Sequence, residues 1–227
     1  MQVASHNESE LDLPATCLQS GEMTREATAG RVNQKQRTRT AIVDATRELI
    51  QGGSEVTMPL VARAALVSEA TAYRYFPDLV TLLREALDGT WLTSAEAMAP
   101  VHACDDPVER VAYATDYLLR HVQRYQGAVR AMISAAIVRP DWAMRPGYRF
   151  GLIDEALAPL EGTLGSRQPE ALQQLKQQLA IVISAEALFT LTDLCGLPAE
   201  DAIASAVHAA RTITAAALTQ DEAPARG

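Results

Sequence analysis

The chain has 227 residues, enough for one large domain or two modest ones, and its 48% hydrophobic content is enough to fill a core. A net charge of −8 argues against a general nucleic-acid coat, and three scattered cysteines (Cys17, Cys104, Cys195) with no CxxC spacing argue for reduced thiols rather than a disulfide frame or a zinc site. No apolar run approaches the roughly 18 residues that span a bilayer, and MQVASHNESELDL is no secretory signal, so a cytoplasmic location is expected.

Ala-rich and Leu-rich stretches at helical spacing dominate, and alternating β-branched runs are few. An all-α fold of about nine helices is predicted. Residues 1–35 are polar and aperiodic and read as a disordered extension with a basic end. Arg31, Lys35, Arg37 and Arg39 lead from it into a first helix over about Thr38 to Gln51, which Gly52-Gly53 terminates. Thr57 is the expected N-cap of a second helix, with Pro59 in its first turn. Ala65-Leu66-Val67 forms a turn, Ser68 caps a third helix, and Pro77 breaks that helix and opens the next. The layout is that of a helix-turn-helix, able to place one short helix in the DNA major groove while the other braces it.

From Pro77 an apolar stripe runs to about Met98, and a loop follows to Pro107. Further helices are predicted over Pro107 to Val122, Gly127 to Val138 and Gly147 to Leu164. Two long ones close the chain, Pro169 to Leu194 and Ala199 to Leu218. Their broad apolar faces suit either burial within one subunit or a four-helix bundle across a two-fold axis, with Leu179, Val182, Phe189, Ile203, Val207, Ala210 and Ile213 at the dimer interface. The expected division is an extension over 1–35, a DNA-binding domain over 36–80, a helical regulatory and dimerisation domain over 81–219, and a disordered tail over 220–227.

Charge is segregated along this plan. Residues 1–30 carry five acids and one base, residues 31–75 seven bases and four acids, and residues 76–227 twelve bases and nineteen acids. The one net-positive segment contains the candidate DNA reader.

The stretches AIVDATRELIQGG and VTMPLVARAALVSEATAYRYFPDLVTLLREAL resemble the TetR family of bacterial transcriptional regulators. The likeness is sharp over about residues 38 to 88. It rests on the GG helix end, Thr57 before LVARAA, the Ser–x–x–Thr–x–Tyr–x–x–Phe spacing of VSEATAYRYF, and the Leu-rich helix that follows. The resemblance implies a homodimer that reads a palindromic operator and is controlled by a small apolar or cationic ligand in the C-terminal domain. Carried onto this chain, it implies that Thr71 and Ala72 face base edges near the start of the reading helix. Tyr73 and Tyr75 then lie close to phosphates, and Thr57 or Met58 approaches the backbone from the other side. Ser68, Glu69 and Arg74 complete the candidate surface, with Lys35, Arg37 and Arg39 as the arm. Tyr73 and Tyr75 can also pack between helices, Arg74 can face solvent, and Phe76 reads as core. Three positions depart from the family pattern: Leu66 where Gly is usual in the turn, Glu69 early in the reading helix, and Leu79 in place of a phosphate-contacting Lys.

In the body, Tyr113, Asp116, Tyr117, Met132, Trp142, Met144, Phe150 and Glu186 are candidates for a ligand site with aromatic walls. Glu186 either serves a cationic or polar ligand, pairs with an arginine, or faces the partner subunit. His102, Cys104, Asp105 and Asp106 cluster in a loop but have no metal-ligand spacing. No metal or cofactor is expected. No G-x-S-x-G, P-loop or HExxH motif occurs, so an enzyme is not expected. The main reading is a ligand-controlled repressor. A helical ligand- or partner-binding protein with weak DNA binding is the alternative, and a helical enzyme the third.

Overall fold

The computed structural model describes residues 16–53, 55–138 and 147–222, and among them every regular element is a helix. Helix α1 (Thr16–Gln51) begins well before the expected Thr38. Residues 16–35, expected to be a disordered extension, are helical here. No proline stands between Pro14 and Pro59 to interrupt the run. Residues 1–15 of that extension lie outside the described residues. At the other end Gly53, at φ 67°, closes the helix.

Helices α2 (Met58–Ala64) and α3 (Glu69–Tyr75) pack against each other and, with α1 and α4 (Leu79–Leu87), enclose one core. Ile42, Val61, Ala72, Phe76, Leu82 and Leu83 are its buried centre. Local caps fix the helix starts. The Thr57 side chain accepts from Leu60 N, that of Ser68 from Thr71 N, and that of Asp78 from Thr81 N.

The turn between α2 and α3 is a Schellman closure, with Val67 N donating to Ala62 O and Leu66 N to Arg63 O. That closure needs a left-handed residue, and Leu66 supplies it at φ 56°, the one non-glycine at positive φ among the described residues. Its side chain is 92% exposed, so no packing compensates the strain. Leu66→Gly is therefore expected to stabilise the protein by about 0.5–1 kcal/mol, the relieved strain exceeding the added chain entropy. Urea denaturation checks this, with an unchanged or lowered midpoint as the contrary result.

The apolar stripe after Pro77 is not one helix. It breaks at Leu87, where Thr90 N bonds back to Leu87 O and Gly89 adopts φ 74°. Helix α5 (Ser94–Met98) then restarts from a capping box in which Thr93 and Glu96 satisfy each other's backbone N–H. A 3-10 turn, Ala99–Val101, leads to α6 (Pro107–Arg124), which Asp106 caps. There follow α7 (Gln126–Val138), α8 (Tyr148–Glu161), α9 (Leu164–Arg167) and α10 (Pro169–Val182).

The long helix expected over Pro169–Leu194 also divides. The β-branched run Ile181-Val182-Ile183 disfavours continuation. Ser184 then donates to Ile181 O and accepts from Ala187 N, so it closes one helix and caps α11 (Ala185–Phe189). A π-helical turn, Thr190–Leu194, precedes α12 (Ala199–Glu222). The count is thus twelve α-helices among the described residues rather than nine. Of the expected C-terminal tail, residues 220–222 belong to α12, and 223–227 lie outside the described residues.

Helix α6 packs most extensively on α12 and also on α8, while α10 lies against both α8 and α12. Leu119, Leu152, Leu157, Leu175, Leu179, Ile203 and Ala210 form the centre of this second core. Helix α5 comes so close to α8 that a Cβ on Gly151 would stand 2.4 Å from Ser94 Oγ. Arg110 is buried on α6 and donates to five backbone carbonyls: Val101, His102 and Cys104 in the preceding loop, and Glu155 and Ala156 on α8. The Glu155 carbonyl would normally accept from residue 159, but that residue is Pro159, which has no N–H. Arg110 replaces the missing donor.

Trp91, in the link between α4 and α5, packs against both cores. Helix α7 reaches the first core through Ala128 and lies against α4. Among the described residues, no helix is long and apolar enough to cross a membrane.

Candidate nucleic-acid interface and aromatic body site

Helix α3 has two contrasting sides. Ala72 is 0% exposed and, with Phe76, seats the helix on α1, α2 and α4. Glu69, Ala70, Tyr73 and Arg74 are exposed on the opposite side, and Tyr73 retains 48% of its surface. Ser68 is also exposed, and its hydroxyl lies 2.9 Å from that of the half-buried Thr71. The outward surface therefore combines a carboxylate, a methyl group, a phenol, a guanidinium and hydroxyls.

Four expected contact residues are placed otherwise. Ala72 cannot reach a base edge, because it is part of the core. Met58, 4% exposed, is core as well, so its side chain does not approach a DNA backbone; Thr57 beside it is half-exposed and caps α2. The half-buried Tyr75 packs its ring against the first core and accepts at its carbonyl from Arg39. Arg39 is used inside the domain. Its guanidinium pairs with Glu85 on α4 and lies 4.4 Å from the Phe76 ring centroid. Lys35 and Arg37, earlier on α1, remain exposed. Leu79 at the start of α4 packs against the first core. Ala70 is exposed although sequence reasoning did not select it. The signal was its position: it neighbours Glu69 and lies on the face opposite Ala72.

The expected body site is only partly assembled. Tyr113 and Tyr117 stack on α6 with ring centroids 6.4 Å apart. Asp116 instead turns to Arg120 at 2.9 Å, in a pair that also involves Glu200. Glu186 pairs with Arg149 at 3.1 Å, one of the alternatives open from the sequence. Met132 packs against the first core, and Phe150 is 54% exposed. Trp142 and Met144 lie outside the described residues.

Four residues not selected from the sequence join the two tyrosines. His121 stacks on Tyr117 at 5.8 Å and meets Trp91 at 4.1 Å and Tyr125 at 4.9 Å. Tyr148 meets Trp91 edge-on at 5.1 Å. Burial, then the neighbouring Arg124, lowers the His121 pKa, which favours the neutral imidazole. Burial, with the Tyr117 phenol beside it, raises the Tyr148 hydroxyl well above its ordinary range. Both rings are neutral near pH 7.

Of the residues expected at a dimer interface, three are enclosed within the protomer and four keep part of their surface. Leu179, Ile203 and Ala210 are 0–1% exposed within the protomer and belong to its own core. Val182, Phe189, Val207 and Ile213 are half-buried, and Arg130 stacks 3.8 Å from the Phe189 ring centroid while pairing with Asp193. No group of three or more His, Cys, Asp or Glu side chains gathers around a metal position among the described residues.

Residues 42–86 match the family model described as bacterial regulatory proteins, tetR family. No curated protein and no solved structure matches the chain.

Proposed function

We propose that the chain is a homodimeric, one-component transcriptional regulator, a repressor of a palindromic operator controlled by a small-molecule ligand. The observation that carries this reading is the two-sided α3 within the matched segment. Ala72 and Phe76 anchor it, while Glu69, Ala70, Tyr73 and Arg74 are exposed on the other side. A short helix presented in this way by a bracing partner is the geometry of a major-groove reader.

In this reading Glu69 accepts from cytosine N4, Ala70 contacts a thymine methyl, and Arg74 is the candidate guanine reader. Tyr73, Ser68 and Thr57 serve phosphates, as do Lys35 and Arg37 on the arm. The palindrome would reflect the dimer's two-fold axis, with reading helices one helical turn or a multiple apart. The free faces of α10 and α12 supply the dimer contact: Gln173, Gln177 and Ile181 on one, and Ser205, His208 and Thr212 on the other, are exposed. Regulation is linkage, since DNA and ligand favour different separations of the two heads and each lowers affinity for the other.

Tyr73→Phe tests the phosphate assignment. Losing one phenol hydrogen bond is expected to weaken all operators alike, by about fivefold. Fluorescence anisotropy across a set of operator variants reads this out. A change in preference among variants would put Tyr73 at base edges instead.

A further inference from the structure

Tyr117 and His121 on α6 and Tyr125 at its C-cap recur every fourth residue, and their rings adjoin along one side of the helix. Trp91 and Tyr148 close over that face from two other segments, within 4.1–6.5 Å of its rings or of each other. Two polar atoms in the cluster are buried: His121 Nε2 has no hydrogen-bonding partner among the described residues, and Tyr148 Oη has the Tyr117 phenol beside it but no well-formed hydrogen bond. Buried polar atoms are nearly always paired, so two left this way in one aromatic cluster call for an explanation beyond packing. None of the five side chains belongs to a fully buried residue, so the cluster reaches the protein surface.

We propose that Trp91, Tyr117, His121, Tyr125 and Tyr148 form a binding site for an uncharged, hydroxyl-bearing aromatic molecule. This deepens the ligand-controlled reading above, and its regulatory meaning rests on that reading. The rings offer faces and edges for stacking, and a ligand hydroxyl can donate to an imidazole nitrogen or accept from a phenol. Among the described residues, no net charge at the site selects an ion. Arg124 and Glu96, the charges beside the cluster, are of opposite sign, and Glu96 is already engaged in capping α5. The carboxylates expected to receive a cation, Asp116 and Glu186, are held by Arg120 and Arg149. Because Trp91 packs against both cores, a ligand that shifts its ring acts on α4 and the body together.

The test uses the full chain with Trp142→Phe, which leaves Trp91 as the sole tryptophan. Phenol, toluene, benzoate and benzylammonium are titrated against Trp91 fluorescence. The expected result is a saturable response to phenol, a weaker one to toluene, and the weakest to the two ions. Tyr148→Phe is expected to reduce phenol affinity by about tenfold, the worth of one good hydrogen bond, while leaving toluene unchanged. Absence of a saturable phenol response, or preference for either ion, overturns the proposal. So does Tyr148→Phe binding phenol as well as the parent while melting higher, which would make Tyr148 a packing residue only. No DNA enters the assay, so failure of operator recognition cannot register here, and failure here leaves operator recognition standing.

Discussion

Arg110→Ala is expected to cost about 3 kcal/mol of folding stability, seen as a fall in melting temperature of about 6–12 °C. The guanidinium is buried and serves five carbonyls, three in the loop before α6 and two on α8. Removing it takes the side-chain donor from all five, with Ala156 O the most deeply buried and Glu155 O lacking its helical donor. Arg110→Lys should recover little, because a point ammonium cannot reach carbonyls on two sides as a planar fork does. Pro159 supplies an internal control. Pro159→Ala returns the N–H that lets Glu155 O bond within α8, so Arg110→Ala should cost about 1 kcal/mol less in that background. Denaturation of the four proteins of this cycle measures the difference. Strict additivity would mean that Arg110 does not substitute for the missing donor.

Ala72→Leu and Ala70→Asn are expected to have opposite effects, although only two residues separate them. Ala72 is fully buried between α3 and the rest of the first core. Extra methylenes there force α3 off its seat, at about 1–3 kcal/mol, and DNA binding is lost with it. Ala70 is exposed, so Ala70→Asn should leave stability within about 0.5 kcal/mol. It replaces a methyl contact with an amide suited to adenine, so the preferred operator should change at one position in each half-site. Thermal melting and binding to operator variants check both. A stable, DNA-binding Ala72→Leu protein would mean that α3 presents a different face.

The first core was largely legible because its signals are local. Thr57, Ser68 and Pro59 mark helix starts by the chemistry of the first turn, and the Gly52-Gly53 pair marks an end. Leu66 was readable as a conflict between a turn and a side chain, and the left-handed backbone carries that conflict. Ala72 was misplaced even though Phe76 was read as core. Residues four apart on a helix share a face, so the two assignments were incompatible from the start. Helix breaks at Leu87 and at Ile183-Ser184 were hidden by apolar spacing that continued across them. The β-branched run and the serine at the second break were the available signal.

Non-local partners explain most of the remainder. Arg39 finds Glu85 and Arg110 finds Glu155, each more than forty residues away, and no local pattern encodes such a pair. Pro159 inside a helix did announce an unpaired carbonyl, but not its donor. In the body, the four-residue spacing that joins Tyr113 to Tyr117 continues to His121 and Tyr125 and could have been followed. Trp91 and Tyr148 arrive from other elements by tertiary packing alone.

The central claim is sequence-specific recognition by a two-fold symmetric dimer. It is tested most directly by selecting bound duplexes from a random DNA library with purified protein at about 0.15 M salt, near physiological ionic strength. The account predicts recovery of a palindrome whose half-sites lie one helical turn or a multiple apart. No enrichment by protein shown to be folded and dimeric would contradict it, and would leave a helical protein that acts through its body rather than through DNA.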